Sequence, residues 1–273
     1  NAPVHNWQNP LFSNNSNFSN HIGIALYSLL YYIKLLFLPY PLRYYYGYKL
    51  IPTVSFFELI PLISLLTISI GIFYSLKYIN KRSLFSFGFL FFLISIFPFA
   101  NTFFPFTGII AERMLFVPSI GFSIIAGYLA FKISKIDKSL KSSTKQKTIA
   151  LMILLIIVLP NSIISINRNN DWKDRETLYS TDIKKLNNSA KANNVYASFI
   201  LAKIQSGIKQ GVSAKILEPK LKESIHYFTR AIEIVSLYSE AWHNMGYIYM
   251  IFYKDYNTAK KYLSNCIRID STI

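Results

Sequence analysis

Two residues of opposite charge stand side by side in an apolar run: Glu112 and Arg113, inside GIIAERMLFVPSIGF (108–122). A guanidinium presents paired N–H donors that match a phosphate. The neighbouring carboxylate can orient it, or take a proton from an acceptor hydroxyl. Beside Arg113 its pKa is drawn down, which weakens it as a base and favours the orienting role. A plainer reading is an ion pair at a membrane rim, anchoring the helix from 114 with Arg113 in the headgroups, and the residues alone leave both open. A second concentration of chemistry is LPYPLRYYYGYKLIP (38–52), with Arg43, Lys49, Tyr44, Tyr45, Tyr46 and Tyr48. Basic and aromatic groups together suit a phosphate-sugar headgroup, with Tyr46, Tyr48 and Lys49 as its contacts, although aromatics at such a position also form interface belts. Gly47 suits a tight turn there.

Motifs of soluble catalysis are missing: there is no Gly-rich phosphate loop, no H-E-x-x-H and no G-x-S-x-G. His5, His21, His226 and His243 are scattered, so no metal site is expected. The single cysteine, Cys266, rules out an internal disulfide and a Cys-based zinc site, and is expected to fill a helix interface.

The elements that must position these residues divide into two solvents. Residues 1–167 contain only three acids, Glu58, Glu112 and Asp137, whereas 168–273 hold the other ten together with sixteen of the 29 Lys and Arg. A bilayer core of about 30 Å takes about 20 apolar residues as helix, and a charge at its centre costs at least about 2.5 kcal/mol. Stretches 56–76, 83–100, 114–133 and 148–166 meet that demand, and 21–39 joins them with Lys34 snorkelling from near its end. The spacing therefore predicts an all-α, polytopic membrane domain over 1–167 with about five membrane helices.

The net charge of +16 is then no sign of nucleic-acid binding. Lys77, Lys81 and Arg82 fill one short loop, and Lys132, Lys135, Lys138, Lys141, Lys145 and Lys147 crowd another. The positive-inside rule puts both in the cytoplasm. Alternation places 39–55, 101–113 and everything after 167 outside.

After the membrane segments, Asp171 before Trp172, with Asp174 three further on, reads as a helix start, giving a helix of roughly 172–186 within a 168–188 linker. In SEAWHNMGYIYMIFYKDYNTAKKYLSNCIRID (239–270), Trp242, Met245, Gly246 and Tyr249 share one helical face, and Ala259, Leu263 and Cys266 another. This resembles a tetratricopeptide repeat, with Trp242, Gly246, Tyr249 and Ala259 as core positions. It departs by one extra residue in the MIFYKDY turn, and by Leu263, Cys266 and Ser271 at an aromatic, an Ala and a Pro position. A looser copy pairs SAKANNVYASFILAKIQSG with KESIHYFTRAIEIV across some fifteen extra residues. Such repeats need about three copies for stability, so the array over 189–273 is expected to continue. Its concave surface would hold an extended peptide.

These blocks in this order are similar to a known family. NPLF (9–12), YYIKLLFLPYPLRYYYGYKLIP (31–52), AERMLFVPSIGF (111–122), NRNNDWKDRETLY (167–179) and NSAKA (188–192) resemble the transmembrane and tetratricopeptide-repeat-containing O-mannosyltransferases, particularly bacterial relatives. The resemblance implies a GT-C membrane glycosyltransferase that moves a sugar, mannose in animal members, from a polyprenyl-phosphate donor to Ser or Thr of proteins on the non-cytoplasmic side. It implies no further cofactor. Its principal catalytic acid is expected in a first outside loop that precedes this stretch, so the catalytic residue is not named and the stretch alone is expected to be inactive. Carried over residue by residue, Glu112 and Arg113 occupy the family's E-R pair, Pro118 and Ser119 its P-S, and Trp172 its tryptophan after the last membrane helix. Phe116 replaces a common Tyr, and Asn187 a common Pro.

The expected activity is transfer with inversion at the anomeric carbon. Arg113, Glu112 and Arg43 are the expected donor-phosphate contacts, with Glu112 orienting Arg113, and the repeats recruit the acceptor polypeptide. The bacterial inner membrane is the expected compartment, with the repeats outside the cytoplasm, the endoplasmic reticulum with lumenal repeats being the alternative. A rival reading is a non-catalytic membrane-anchored repeat scaffold. A transporter is a more distant third, since no helix centre carries a charged substrate path.

Overall fold

The computed structural model describes residues 9, 11, 17–102, 108–136 and 143–271. Most of the Asn-rich opening and the middle of the second basic loop, including Lys138 and Lys141, lie outside them. Every extended element described is helical, the only β pairing among the described residues being isolated bridges, Tyr46–Ile110 and Tyr48–Ile51. The chain forms two compact units, Asn1–Asn170 and Asp171–Ile273.

The first unit contains α1 (Phe18–Phe37), α2 (Leu59–Tyr78), α3 (Leu84–Ile96), α4 (Pro118–Ile133) and α5 (Thr144–Asp171). Among the described residues, two helices are long and apolar enough to cross a membrane, α2 with its extension to Lys81, and α5. The expected spans 83–100 and 114–133 are shorter as helices. Pro98, without an N–H, sits in a single 3-10 turn (Phe97–Phe99) that closes α3. Pro118 opens α4 at a position where the missing N–H costs nothing, leaving Glu112–Leu115 as a separate 3-10 turn. At 16 residues, α4 spans about 24 Å, against about 30 Å of hydrocarbon. Helix α1 stops at Phe37, with Leu38 already extended ahead of Pro39.

Along much of α2 to α5, packing reverses the pattern expected in water. Ser64, Gly71 and Ser75 of α2, Ser86 and Gly88 of α3, and Gly121 and Ala130 of α4 are buried. Leu66, Ile70, Phe73 and Leu76 of α2 are exposed, as are Met152, Ile156, Ile163 and Ile166 of α5. Lipid tails are as apolar as Leu, so helices in lipid associate through small residues and interhelical hydrogen bonds. Ser64 supplies one such bond, its Oγ donating to the Leu26 carbonyl of α1 at 2.7 Å. Gly88 and Gly121 bring α3 and α4 together; a Cβ at Gly121 would sit 2.5 Å from the Gly88 carbonyl oxygen. Taken with the two apolar helices, this is the organisation of a membrane protein.

The second unit holds α6 (Arg175–Ile183), α7 (Ala190–Lys209), α8 (Ala214–Ile234), α9 (Ser239–Ile248) and α10 (Tyr256–Ile269). The expected helix start at Asp171 is corrected by three residues. Asp171 closes α5, and Asp174 caps α6 by accepting the Thr177 N–H at 2.8 Å. Asp255 caps α10 through Thr258 in the same way, and hydrogen bonds from the capped residues hold both carboxyls below the usual range. The extra residues of the looser copy form no long loop. They lengthen α7 and α8, and only 210–213 connect the two. Ser224 of α8 ties the pair by donating to the Ala197 carbonyl of α7 at 2.9 Å.

The additional residue of MIFYKDY is absorbed in a π turn, Tyr249–Tyr253, ended by Lys254 at φ 57°. Gly246 and Ala259 are buried, as are Met245 and Cys266. Tyr249 stacks on Tyr262 at 5.4 Å, and Trp242 lies half-buried with its Nε1 donating to the Ser236 carbonyl at 2.8 Å. A Cβ at Gly246 would meet Leu263 Cγ at 2.6 Å. Gly246→Ala is therefore expected to destabilise the α9–α10 pair by about 1–2 kcal/mol despite alanine's better helix propensity. Amide exchange of these helices should speed up accordingly, and Leu263→Ala in the same chain should reduce the Gly246→Ala penalty.

Candidate functional site

At one end of the first unit, the 38–55 loop folds against 108–112 over a core that includes Leu29, Tyr32, Tyr46, Ile51, Ile96 and Ile109. Two buried asparagines hold this end. Asn101, with φ 59°, donates from Nδ2 to the Ile109 carbonyl at 2.6 Å and accepts from Asn9 Nδ2 at 3.2 Å. Asn9 Oδ1 in turn accepts the Leu11 N–H at 3.0 Å. Such buried amides must be satisfied, and their partners fix one path for three chain segments.

Tyr46 is the centre of the arrangement, at 1% exposure. Its carbonyl accepts the Ile109 N–H at 2.6 Å, and Gly108, at φ 85°, allows the close approach. Its hydroxyl has one proton and two acceptors within reach, Glu112 Oε1 and the Pro41 carbonyl at 2.9 Å. The ionised carboxylate is the stronger acceptor. The Arg43 N–H donates to the same Glu112 Oε1 at 2.6 Å and lies 3.1 Å from the Tyr46 hydroxyl oxygen. Next to Glu112, the Ala111 N–H donates to the Tyr32 hydroxyl at 3.0 Å. Burial first, and then the Glu112 charge and hydrogen bond, push the Tyr46 pKa far above the ordinary phenol value, so the hydroxyl stays a donor. Burial raises Tyr45 as well.

These contacts separate the residues read together from the sequence. Glu112 is half-buried and engages the 41–46 turn, whereas Arg113 is exposed on its 3-10 turn. Tyr46, expected to face a headgroup, is instead buried beneath the loop, because its ring fills the core while its hydroxyl bonds Glu112. Tyr48 is half-buried and Lys49 exposed, with the Lys49 ammonium 5.9 Å above the Tyr48 ring.

Sequence reasoning assigned no site role to Lys34, although a cation in an otherwise apolar helix was the signal. Its ammonium donates to the Tyr40 carbonyl and lies 5.1 Å over the Tyr31 ring. Tyr31 meets Tyr46 edge to face at 5.9 Å and stacks on Tyr27 at 6.2 Å. Lys34, Arg43 and Arg113 thus set three cations against the Glu112 carboxylate at this end, a field that attracts an anion.

No protein-family model and no solved structure matches the chain. Its sequence is similar to several curated proteins. It is 26% identical over 159 residues to protein O-mannosyl-transferase TMTC1 of Mus musculus, covering 58% of this chain and 15% of that protein. With protein O-mannosyl-transferase TMTC3 of Homo sapiens it shares 35% identity over 99 residues, 36% of this chain and 10% of the relative. The match to protein O-mannosyl-transferase F38B6.6 of Caenorhabditis elegans is 29% over 187 residues, 67% of this chain and 25% of the relative. The chain thus spans a quarter or less of the length of these relatives.

Proposed function

We propose that this chain is the membrane and repeat-bearing part of a protein O-mannosyltransferase of the GT-C type. The observation that carries the reading is the similarity to relatives named for that activity, reaching across 67% of the chain. The lipid-type packing of the first unit and the cationic end built around Arg43 support it.

In this reading all five helices of the first unit lie in the bilayer, and the two basic loops face the cytoplasm. The loop end and the second unit lie on the other side, in the bacterial inner membrane or, alternatively, the endoplasmic reticulum. A polyprenyl-phosphate sugar is the donor. The oxygen of an acceptor Ser or Thr attacks the anomeric carbon from the face opposite the phosphate. The bond from that carbon to the phosphate oxygen breaks, and its electron pair leaves with the polyprenyl phosphate. Arg113 and Arg43 receive that developing charge, and Glu112 positions the Arg43 turn. Tyr48 and Lys49 border the sugar. The acceptor's proton goes to an acid–base residue supplied outside this stretch. The paired helices of the second unit form tetratricopeptide repeats whose concave surface presents the acceptor polypeptide.

The test is transfer by the full-length protein in membranes from a labelled polyprenyl-phosphate mannose to a Ser/Thr peptide. Arg113→Ala should reduce kcat about 10²-fold, the usual scale for losing one preorganised donor to developing charge. Unchanged transfer would remove Arg113 from the site. A folded parent that transfers nothing from any donor would favour a membrane-anchored repeat scaffold.

A further inference from the structure

The far end of α2 carries a second group of cations, separated from the 38–55 loop by the length of that helix, about 30 Å for its 20 residues. Lys77, Lys81 and Arg82 lie there, and no Asp or Glu occurs from residue 59 to residue 111. Lys77 and Lys81 share one ring, their ammonium groups 5.7 and 5.4 Å from the centre of Tyr78. Arg82 differs from both. Its backbone is left-handed, at φ 49°, a strained conformation for an arginine, and its guanidinium makes no hydrogen bond, ion pair or ring contact among the described residues. It lines a cavity of about 540 Å³ that runs along the first part of α3, a volume in the range of small-molecule sites. The mouth of this cavity is polar. Ser83 is the N-cap of α3 but makes no side-chain cap bond, so the N–H groups of the first turn are open to an anion. Ser86, which also lines the cavity, is 2% exposed, and its Oγ has no hydrogen-bond partner among the described residues. Further along, the walls are Phe87, Leu90, Phe91 and Ile94. From Ser83 to Ile94 the helix rises about 16 Å, the depth of one half of a hydrocarbon core of about 30 Å.

We propose that this cavity binds one glycerophospholipid whose headgroup carries a net negative charge. The Arg82 guanidinium and the first-turn N–H groups of α3 take the phosphodiester oxygens. The Ser86 hydroxyl donates to an ester carbonyl, and one acyl chain lies along Phe87, Leu90 and Ile94. Lys77 and Lys81 add charge that favours an anionic headgroup over a zwitterionic one, with no carboxylate nearby in the chain to offset it. The apolar walls select a lipid over a free phosphate, since a bare anion leaves them uncovered. Lying a helix length from the loop that holds Arg43, the site is independent of the transferase reading.

The experiment measures binding to the purified full-length protein in lipid-free detergent by native mass spectrometry, with dioleoyl phosphatidylglycerol, dioleoyl phosphatidylcholine and glycerol 3-phosphate. Phosphatidylglycerol should bind about tenfold more tightly than phosphatidylcholine, the scale of one charge-assisted bond. Glycerol 3-phosphate should show no binding at the same concentrations. Arg82→Gln should bring phosphatidylglycerol down to the level of phosphatidylcholine. Arg82→Gly should do the same while melting no lower than the parent, because glycine suits the left-handed backbone, so a loss of binding there is not a loss of fold. Leu90→Trp, which fills the apolar part, should weaken both lipids about tenfold. Lys147→Gln, a cation at the start of α5, should keep the parent's preference. A preference that survives both Arg82 variants overturns the site, as does an equal loss in Lys147→Gln. Phosphatidylcholine binding as tightly as phosphatidylglycerol overturns the anionic headgroup, and glycerol 3-phosphate binding as tightly overturns the lipid. Parent-like binding in a folded Leu90→Trp protein removes the acyl chain from the cavity.

Discussion

Glu112→Ala is expected to lower the stability of the first unit by about 3 kcal/mol and, under the transferase proposal, to reduce sugar transfer at least 10²-fold. The carboxylate accepts two hydrogen bonds in a half-buried place, from the Arg43 N–H at 2.6 Å and from the Tyr46 hydroxyl. Alanine leaves both donors short of their charged acceptor. The Pro41 carbonyl, 2.9 Å from the Tyr46 hydroxyl, can recover part of one bond, and the Arg43 N–H keeps only its longer contact to the Tyr46 hydroxyl oxygen at 3.1 Å. The 41–46 turn then loosens and carries the Arg43 side chain away from its position. Displacements of about 1 Å are enough to cost two orders of magnitude in rate. Glu112→Gln, which keeps one carbonyl oxygen, should lose less than half as much stability. Tyr46→Phe should interact with Glu112→Ala in a double-mutant cycle, because both delete the same bond. Thermal melting in detergent and the transfer assay check the two halves. A Glu112→Ala protein that melts with the parent would show that the turn does not depend on this carboxylate.

Gly121→Ala is expected to cost about 2 kcal/mol or more, although alanine favours a helix by about 1 kcal/mol. The added Cβ would lie 2.5 Å from the Gly88 carbonyl oxygen and 2.8 Å from the Phe92 nitrogen, where ordinary contact begins at 3.4 Å. Both obstacles are backbone, so neither can rotate away, and α3 and α4 must separate. Gly127, six residues further along α4, is the matched control: nothing lies within 4 Å of its Cβ position. Gly127→Ala should therefore be neutral or stabilising by up to about 1 kcal/mol. Fluorescence-detected size exclusion and melting temperature of both variants provide the comparison. Equal behaviour of the two would mean that the close α3–α4 approach is not what holds the helices together.

Several parts of this architecture were legible in the residues. Apolar runs of membrane length announced α2 and α5, and the change in charge density near 168 anticipated a second kind of solvent. Trp242, Gly246 and Ala259 marked a close helix pair, and Gly246 does face Leu263 across it. What escaped was set by neighbours distant in sequence. Asp171 and Asp174 are equally good caps on paper, and the choice of Asp174 follows from α5 running on to Asp171. The surplus residue of the MIFYKDY turn could have entered a loop, but it widened the end of α9 into a π turn. Tyr46 read, with Tyr48, as a headgroup contact, yet it closes the bridge to Ile110 and donates to Glu112.

By itself the sequence determined the apolar runs, most of the helices and the clustering of cations in the segments between them, because these depend on composition and period. The adjacency of Glu112 and Arg113 suggested a partnership, but consecutive residues on a short 3-10 turn point in different directions. Only the tertiary structure decided that Glu112 turns toward residues 43 and 46, some seventy positions away, while Arg113 remains exposed. It also decided that Lys34, which looked like an imperfection in an apolar helix, donates to the Tyr40 carbonyl and lies over the Tyr31 ring. Side-chain chemistry is local and readable, whereas the pairing of charges is a property of the loop that folds back over them.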